Sequence, residues 1–227
     1  MDAAEYFSDG QAAALADAAA KGRTAEVTRL LSEGVDVNVR GKDNMIPVIW
    51  ALLNQNQEGF ECLLQHGANP NLQLSDGTSA LAQELPFAGN SATSLAAQHK
   101  DIWYLDTVLK YGGDVNLVNP FRSFTPIFAS IEAQRTLQAE KLIQAGANLN
   151  FKDRDGLTPP IFAAMCNRYD LLYDMVQAGF DPAIRDRWGY TVVYAINGSA
   201  GHTMPTMSKW RDKVIELLQK KGVAGLH

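Results

Sequence analysis

The residues able to do chemistry in this chain are few and poorly spaced for it. There are four histidines, His66, His99, His202 and His227, and two cysteines, Cys62 and Cys166. No histidine pairs with another at i+4, and two cysteines fall short of a four-thiolate zinc set. His66 precedes a glycine of the kind that stops a helix, an ordinary place for a side chain able to carry positive charge. His99-Lys100-Asp101 reads as a solvated turn. Neither G-x-G-x-x-G nor G-x-x-x-x-G-K-[ST] occurs, so no phosphate-cradling loop is encoded. Asn197-Gly198-Ser199 fits a glycosylation sequon by pattern alone. No metal, cofactor or catalytic group is expected, and the chain is read as not an enzyme.

Composition narrows the classes further. The chain has 227 residues, a net charge of −5 and 46% hydrophobic residues. A chain of this length buries roughly 70% of its unfolded surface, so a core needs neither disulfides nor metals. No run of about 18 apolar residues exists, so no membrane-spanning helix is expected. The acidic balance speaks against a nucleic-acid footprint, which clusters Lys and Arg. Residues 12–20 are apolar, but no basic residue precedes them and Asp17 interrupts them. They read as an Ala-rich first helix and not as a signal sequence.

The elements that must do any work are announced by repetition. Five glycines, each followed by a short polar turn, recur at Gly34, Gly67, Gly112, Gly146 and Gly179, with spacings of 33, 45, 34 and 33 residues. An apolar pair precedes each: Leu30-Leu31, Leu63-Leu64, Val108-Leu109, Leu142-Ile143 and Met175-Val176. About 21 residues upstream stand Ile46-Pro47, Thr125-Pro126 and Thr158-Pro159, followed in register by small residues such as Ala163-Ala164. Thr before Pro predicts an N-cap with proline at the first helical position. The small pair lets two helices approach, the apolar pair is the buried face of a second helix, and the glycine supplies a positive φ to end it. The Asp and Asn residues that follow are expected to bond the backbone of the turn. Each unit is then helix, turn, helix and an extended finger, and no unit can bury its apolar face alone.

With period, Thr-Pro signature, Gly-Ala-Asn turn and the finger motifs Asp153-Arg154-Asp155-Gly156 and Asp186-Arg187-Trp188-Gly189 all in phase, the chain resembles the ankyrin repeat family over about 13–222. The resemblance implies an all-α ankyrin-repeat solenoid of about six helix-turn-helix units with β-turn fingers. As one domain over 1–227, the units fall near 13–45, 46–78, 91–124, 125–157, 158–190 and 191–223. Insertions are expected near 80–90 and 197–206, where solenoids often carry binding loops. The histidine that usually follows Thr-Pro-Leu is replaced by Ile49, Phe128, Ile161 and Tyr194, which predicts a more apolar seam. In this phase Cys62 and Cys166 lie in distant units, beyond disulfide reach, and both read as buried structural thiols. Charged outer faces on the first and last helices predict capped ends and a complete array.

Function would then come from surface. In this family partner-facing positions lie on the fingers and the exposed ends of the first helices. Carried over by phase, the candidate protein-binding residues are Met45, Phe121, Arg122, Phe124, Arg154, Arg187, Trp188 and Tyr190, with Leu85 and Phe87 in the first insertion. Large aromatics and Arg dominate interface hot spots. Phe124 and Tyr190 have a second reading, as staples of a finger to the next helix. Arg154 and Arg187 could merely pair with Asp153 and Asp186, while Trp50 and Phe162 fall in core phase.

The chain is also similar to small stand-alone ankyrin proteins of bacteria. Some of these are immunity proteins that block secreted antibacterial toxins, among them phospholipase effectors of the type VI secretion system. That likeness implies a toxin or lipase effector as the partner of a chain that is monomeric before binding. A non-inhibitory adaptor or scaffold is the alternative. The compartment would be the periplasm under the first reading and the cytoplasm under the second.

Overall fold

The protein is described here from a computed structural model covering residues 2–75, 88–199 and 203–226. Among these residues there are thirteen α-helices and no strand, only an isolated bridge between Gln73 and Ser91. They fall into two compact units, Met1–Phe121 and Arg122–His227.

The first unit holds α1 (Ala3–Tyr6), then the pairs α2 (Gly10–Ala20) with α3 (Thr24–Ser32), α4 (Pro47–Leu53) with α5 (Gln57–Gln65), and α6 (Ala92–Gln98) with α7 (Trp103–Lys110). The second holds α8 (Pro126–Glu132) with α9 (Thr136–Gln144), α10 (Pro159–Met165) with α11 (Tyr169–Ala178), and α12 (Val192–Gly198) with α13 (Pro205–Lys220).

Helix starts follow local chemistry, with one departure. Asp9 Oδ1 accepts from the amides of Gln11 and Ala12, both at 2.9 Å, and Asn56 Oδ1 from Gly59 at 2.8 Å. Ser91 caps α6 through the amide of Ser94 at 3.2 Å. The threonines do not cap: Thr125, Thr158 and Thr191 make no side-chain bond to their helices. Pro126 and Pro159 at the first helical position hold φ near the helical value, so these helices start without that bond. Thr125 Oγ1 is buried with no partner.

Helix stops hold to the sequence reading. Gly34, Gly67, Gly112, Gly146 and Gly179 all lie at φ between 84° and 96°. After each, an Asx side chain accepts from the amide two residues on: Asp36 from Asn38, Asn69 from Asn71, Asp114 from Asn116, Asn148 from Asn150, Asp181 from Ala183. A second bond was not foreseen. The Asn two places later reaches the next turn, with Asn38 Oδ1 accepting from Asn69 at 2.7 Å and Asn71 Oδ1 from Asp114 at 2.8 Å. In the second unit, Asn150 does the same for Asp181 at 2.9 Å. The recurrent Asp/Asn-x-Asn therefore shapes its own turn and clamps the neighbouring one.

The seams are tight where the sequence is small. Ala16, Ala18 and Ala19 are fully buried, and a Cβ placed on Gly59 would lie 1.8 Å from the carbonyl oxygen of Ala19. Ile49, Phe128 and Ile161 are buried, as the apolar seam predicts, but Tyr194 is exposed. Leu85, Phe87 and most of the first expected insertion lie outside the described residues, as do 200–202 of the second.

One element the repeats did not announce is the short α1. Asp2 caps it, and the segment lays Tyr6 and Phe7 on Trp50, with ring centroids 5.1 Å and 6.2 Å apart. Phe7 and Trp50 are both almost wholly buried by this contact.

Candidate functional site

The second unit's fingers are built to present their tips rigidly. Asp153 Oδ1 accepts from the amides of Asp155 and Leu157, at 2.9 and 2.8 Å. Asp186 Oδ1 repeats this with Trp188 and Tyr190 at the same two distances. Gly156 and Gly189, at φ 75° and 84°, complete the two turns. The fingers are then laced together. The Arg187 amide donates to the Asp155 carbonyl at 2.9 Å, and its guanidinium pairs with the Asp155 carboxylate at 2.5 Å.

Trp188 stands on the second of these tips, 55% exposed, with the Arg187 guanidinium 4.2 Å above its ring. Beside it Tyr190 stacks on Tyr194, with centroids 3.7 Å apart and planes within 7°. These three aromatics, with Leu157, Ile161 and Met165, line a cleft of about 460 Å³. Its floor belongs to α10 and α12, its outer wall to the finger. Of the seven large apolar side chains exposed among the described residues, Met165, Trp188, Tyr190 and Tyr194 gather here. Scattered exposed apolar residues mean little, but a contiguous apolar patch marks an interaction site.

The other candidates divide. Arg154 is exposed and has no carboxylate partner among the described residues; Arg187 uses Asp155, and neither pairs with Asp153 or Asp186. Phe124 is a staple, stacked on Phe128 at 5.0 Å and edge-on to Phe162 at 5.5 Å, with Arg122 over its outer face and bound to Glu132. Phe121 is exposed and borders a separate cleft of the first unit, of about 580 Å³, with Arg40, Asn44 and Leu74. Met45 corrects the expectation: it is 1% exposed and belongs to the core beneath its finger. The same phase position is buried again at Leu157, one residue before the N-cap of α10, so the side chain just ahead of a first helix packs inward in both places. Trp50 is buried as expected, and Phe162 is half-buried.

The cysteines also divide. Cys62 is buried, but Cys166, at the end of α10, is exposed and not the buried thiol expected. Desolvation pushes both thiols up, for Cys166 with help from Glu132, so both stay protonated near neutral pH. Cys62 on α5 and His66, the C-cap of that helix, approach to 3.8 Å. Among the described residues no group of three His, Cys, Asp or Glu converges to hold a metal ion. Nor is any helix there long and apolar enough to cross a membrane.

Charge is divided between the units in a way the net value hides. Residues 1–121 carry seven basic and fifteen acidic side chains, a net −8, while 122–227 carry thirteen and ten, a net +3. Within the second unit the finger tips supply Lys152, Arg154, Arg185 and Arg187, and the helices α9 and α11 supply Glu140, Asp170 and Asp174. Burial and mutual repulsion hold Glu140 and Asp174 above the usual carboxylate range.

No family model matches the chain. It is similar to protein PhlB of Serratia liquefaciens, 33% identical over 155 residues, which are 68% of this chain and 63% of PhlB. It is also similar to ankyrin repeat protein FPV031 of fowlpox virus (strain NVSL), 28% identical over 64% of this chain and 41% of that one. The chain thus spans less than two thirds of the length of these curated relatives. Among solved structures it superposes on an ankyrin repeat domain from Acinetobacter baumannii AYE with a TM-score of 0.74 at 20% identity, over 92% of this chain and 98% of that one. Helix pairs, glycine stops, Asx turns and finger hairpins therefore have one explanation: the protein is an all-α ankyrin-repeat solenoid and a member of the ankyrin repeat proteins.

Proposed function

We propose that this interaction module binds and inhibits a partner protein through the finger and cleft around Trp188, and that the partner is a secreted antibacterial effector such as a phospholipase. The observation that carries the docking face is the gathering of Trp188, Tyr190, Tyr194 and Met165, exposed together in one cleft on a braced finger. Tyr and Trp bury much area with few rotors, and a preformed finger loses little entropy on docking. Inhibition is occlusion: a protein that seats a partner's surface on this finger covers whatever entrance lies beneath it. Support for a bacterial setting comes from the likeness to PhlB of Serratia and to small bacterial ankyrin proteins at large. Arg154 and Arg122 of the same unit are carried as further candidates, as are Phe124, Phe121, Leu85 and Phe87.

The test begins with capture of the partner from the source cell and titration of the chain against its hydrolase turnover. Inhibition at one-to-one stoichiometry is expected. The double variant Arg187→Ala with Trp188→Ala is expected to weaken the complex at least tenfold by calorimetry while the helical signal stays unchanged. Unaltered affinity in that variant would place the contact elsewhere, and a captured partner whose turnover is unaffected would leave an adaptor instead.

A further inference from the structure

The stacked tyrosines of the Trp188 cleft repeat, two periods on, an aromatic pair that the chain itself covers. A shift of 66 residues maps Phe124 and Phe128 onto Tyr190 and Tyr194, and both pairs are stacked, with centroids 5.0 and 3.7 Å apart. Over the first pair the Arg122 guanidinium lies 4.6 Å from the centre of the Phe124 ring, and Glu132 holds it there, accepting from Nη1 at 2.7 Å and from Nη2. Phe162 packs on both rings, with centroids 5.5 Å from each. Tyr190 and Tyr194, by contrast, are 42% and 54% exposed, and among the described residues no cation stands over either ring. The residue at the phase of Arg122 is Trp188, which adds an aromatic wall and no charge.

We infer that the cleft takes an arginine side chain of the partner, seated against the tyrosine pair and paired with Asp186. Among the residues that line the cleft, Asp186 alone is charged, and it is half-buried. Its Oδ1 accepts from the amides of Trp188 and Tyr190, while Oδ2 has no partner among the described residues. Gly198 stands at the phase of Glu132, so the carboxylate comes here from the finger and not from the helix. The basic side chains nearby are engaged elsewhere: Arg187 pairs with Asp155 and stacks on Trp188, Arg185 donates to the Gly189 carbonyl, and neither lines the cleft. A carboxylate beside aromatic faces is complementary to a cation. A guanidinium fits better than an ammonium, because its plane stacks on rings, its fork engages a carboxylate and it is less strongly hydrated. Leu157, Ile161 and Met165 supply an apolar lining for its methylene stem.

This rests on the Trp188 face being the docking face, and the experiment separates the two. The peptide acetyl-Ala-Leu-Arg-Leu-Ala-amide is titrated into the full chain while the indole N–H resonance of Trp188 is followed by NMR, assigned by its loss in Trp188→Phe. A saturable shift is expected. Asp186→Asn, whose amide oxygen can still accept from both turn amides, should weaken binding about tenfold. Tyr194→Leu, which keeps an apolar side chain and removes the ring, should weaken it several-fold. The same peptide with citrulline for arginine keeps the shape, loses the charge and should not bind. The inference is overturned if the arginine peptide leaves the resonance unmoved, if the citrulline peptide binds equally well, or if either variant binds as tightly as the parent chain. Partner capture supplies the separation. Loss of capture in Arg187→Ala with Trp188→Ala but not in Asp186→Asn would sink the arginine and leave the docking face standing. Capture indifferent to all these variants would remove the docking face itself, and the inference with it.

Discussion

Two places at the same phase of the repeat have opposite fates. In the first unit the finger and first helix are sealed by Tyr6 and Phe7 on Trp50, and the unit is strongly acidic. In the second, the same phase positions hold Trp188, Tyr190 and Tyr194, open to solvent along a cleft whose lining is mostly apolar. Glycine stops and Asx turns recur in both, while the fingers differ: the first turns through Asp43 and Asn44 at positive φ, the second through Gly189. What differs is whether the chain satisfies its own apolar surface. Conserved scaffold chemistry therefore says where a binding surface could lie, and the neighbouring chain decides which surface is left to a partner.

The comparison can be broken by mutation. Phe7→Ala should cost about 3–4 kcal/mol, since Phe7 is almost wholly buried against Trp50 and Gly41. Trp188→Ala should change stability by less than about 0.5 kcal/mol. Paired urea denaturation of the two variants checks this, and equal costs would erase the distinction between a filled and an open cleft. Gly59→Ala should cost about 3 kcal/mol, because the new methyl meets the Ala19 backbone and not a movable side chain. A fall in melting temperature of about 10 °C would register it.

Smaller effects sharpen the account of the second unit. Thr125→Val should stabilise by up to about 1 kcal/mol, because the buried Oγ1 has no partner to lose. A loss of stability would mean that the hydroxyl is bonded. Asp174→Asn should stabilise by a few tenths of a kcal/mol at pH 7. Asp174 has its folded pKa raised by burial and by Asp170, so its protonation favours the folded state. That stabilisation is fully present below the ordinary aspartate range and is lost as pH rises through the raised value. The gain from Asp174→Asn should accordingly vanish in acid, as melting curves against pH would reveal.

Most of the scaffold is legible in the sequence, because one local cause acts at each signal: Gly for positive φ, Pro for the first helical position, Asx for the turn. Trp188 and Arg187 could be placed at a finger tip for the same reason. What was not legible is non-local. Met45 reads as a finger residue, but it packs inward ahead of α4 as Leu157 does ahead of α10, and that depends on how the helix pairs stack. The role of Asn38, Asn71 and Asn150 as clamps on the next turn likewise depends on stacking. Tyr194 sits at a phase position buried in other units, and only the absence of a covering segment in this structure's described residues exposes it. The division of charge between units was present in the residues but concealed by a modest total.

The most direct test of the central claim is hydroxyl-radical footprinting of the free protein and of its complex with the captured partner. The account predicts that Met165, Trp188, Tyr190 and Tyr194 label readily in the free protein and become protected in the complex, while Phe7, Met45 and Trp50 stay protected in both. Strong protection of the Trp188 cluster before any partner is added, or unchanged labelling of it in the complex, would contradict it.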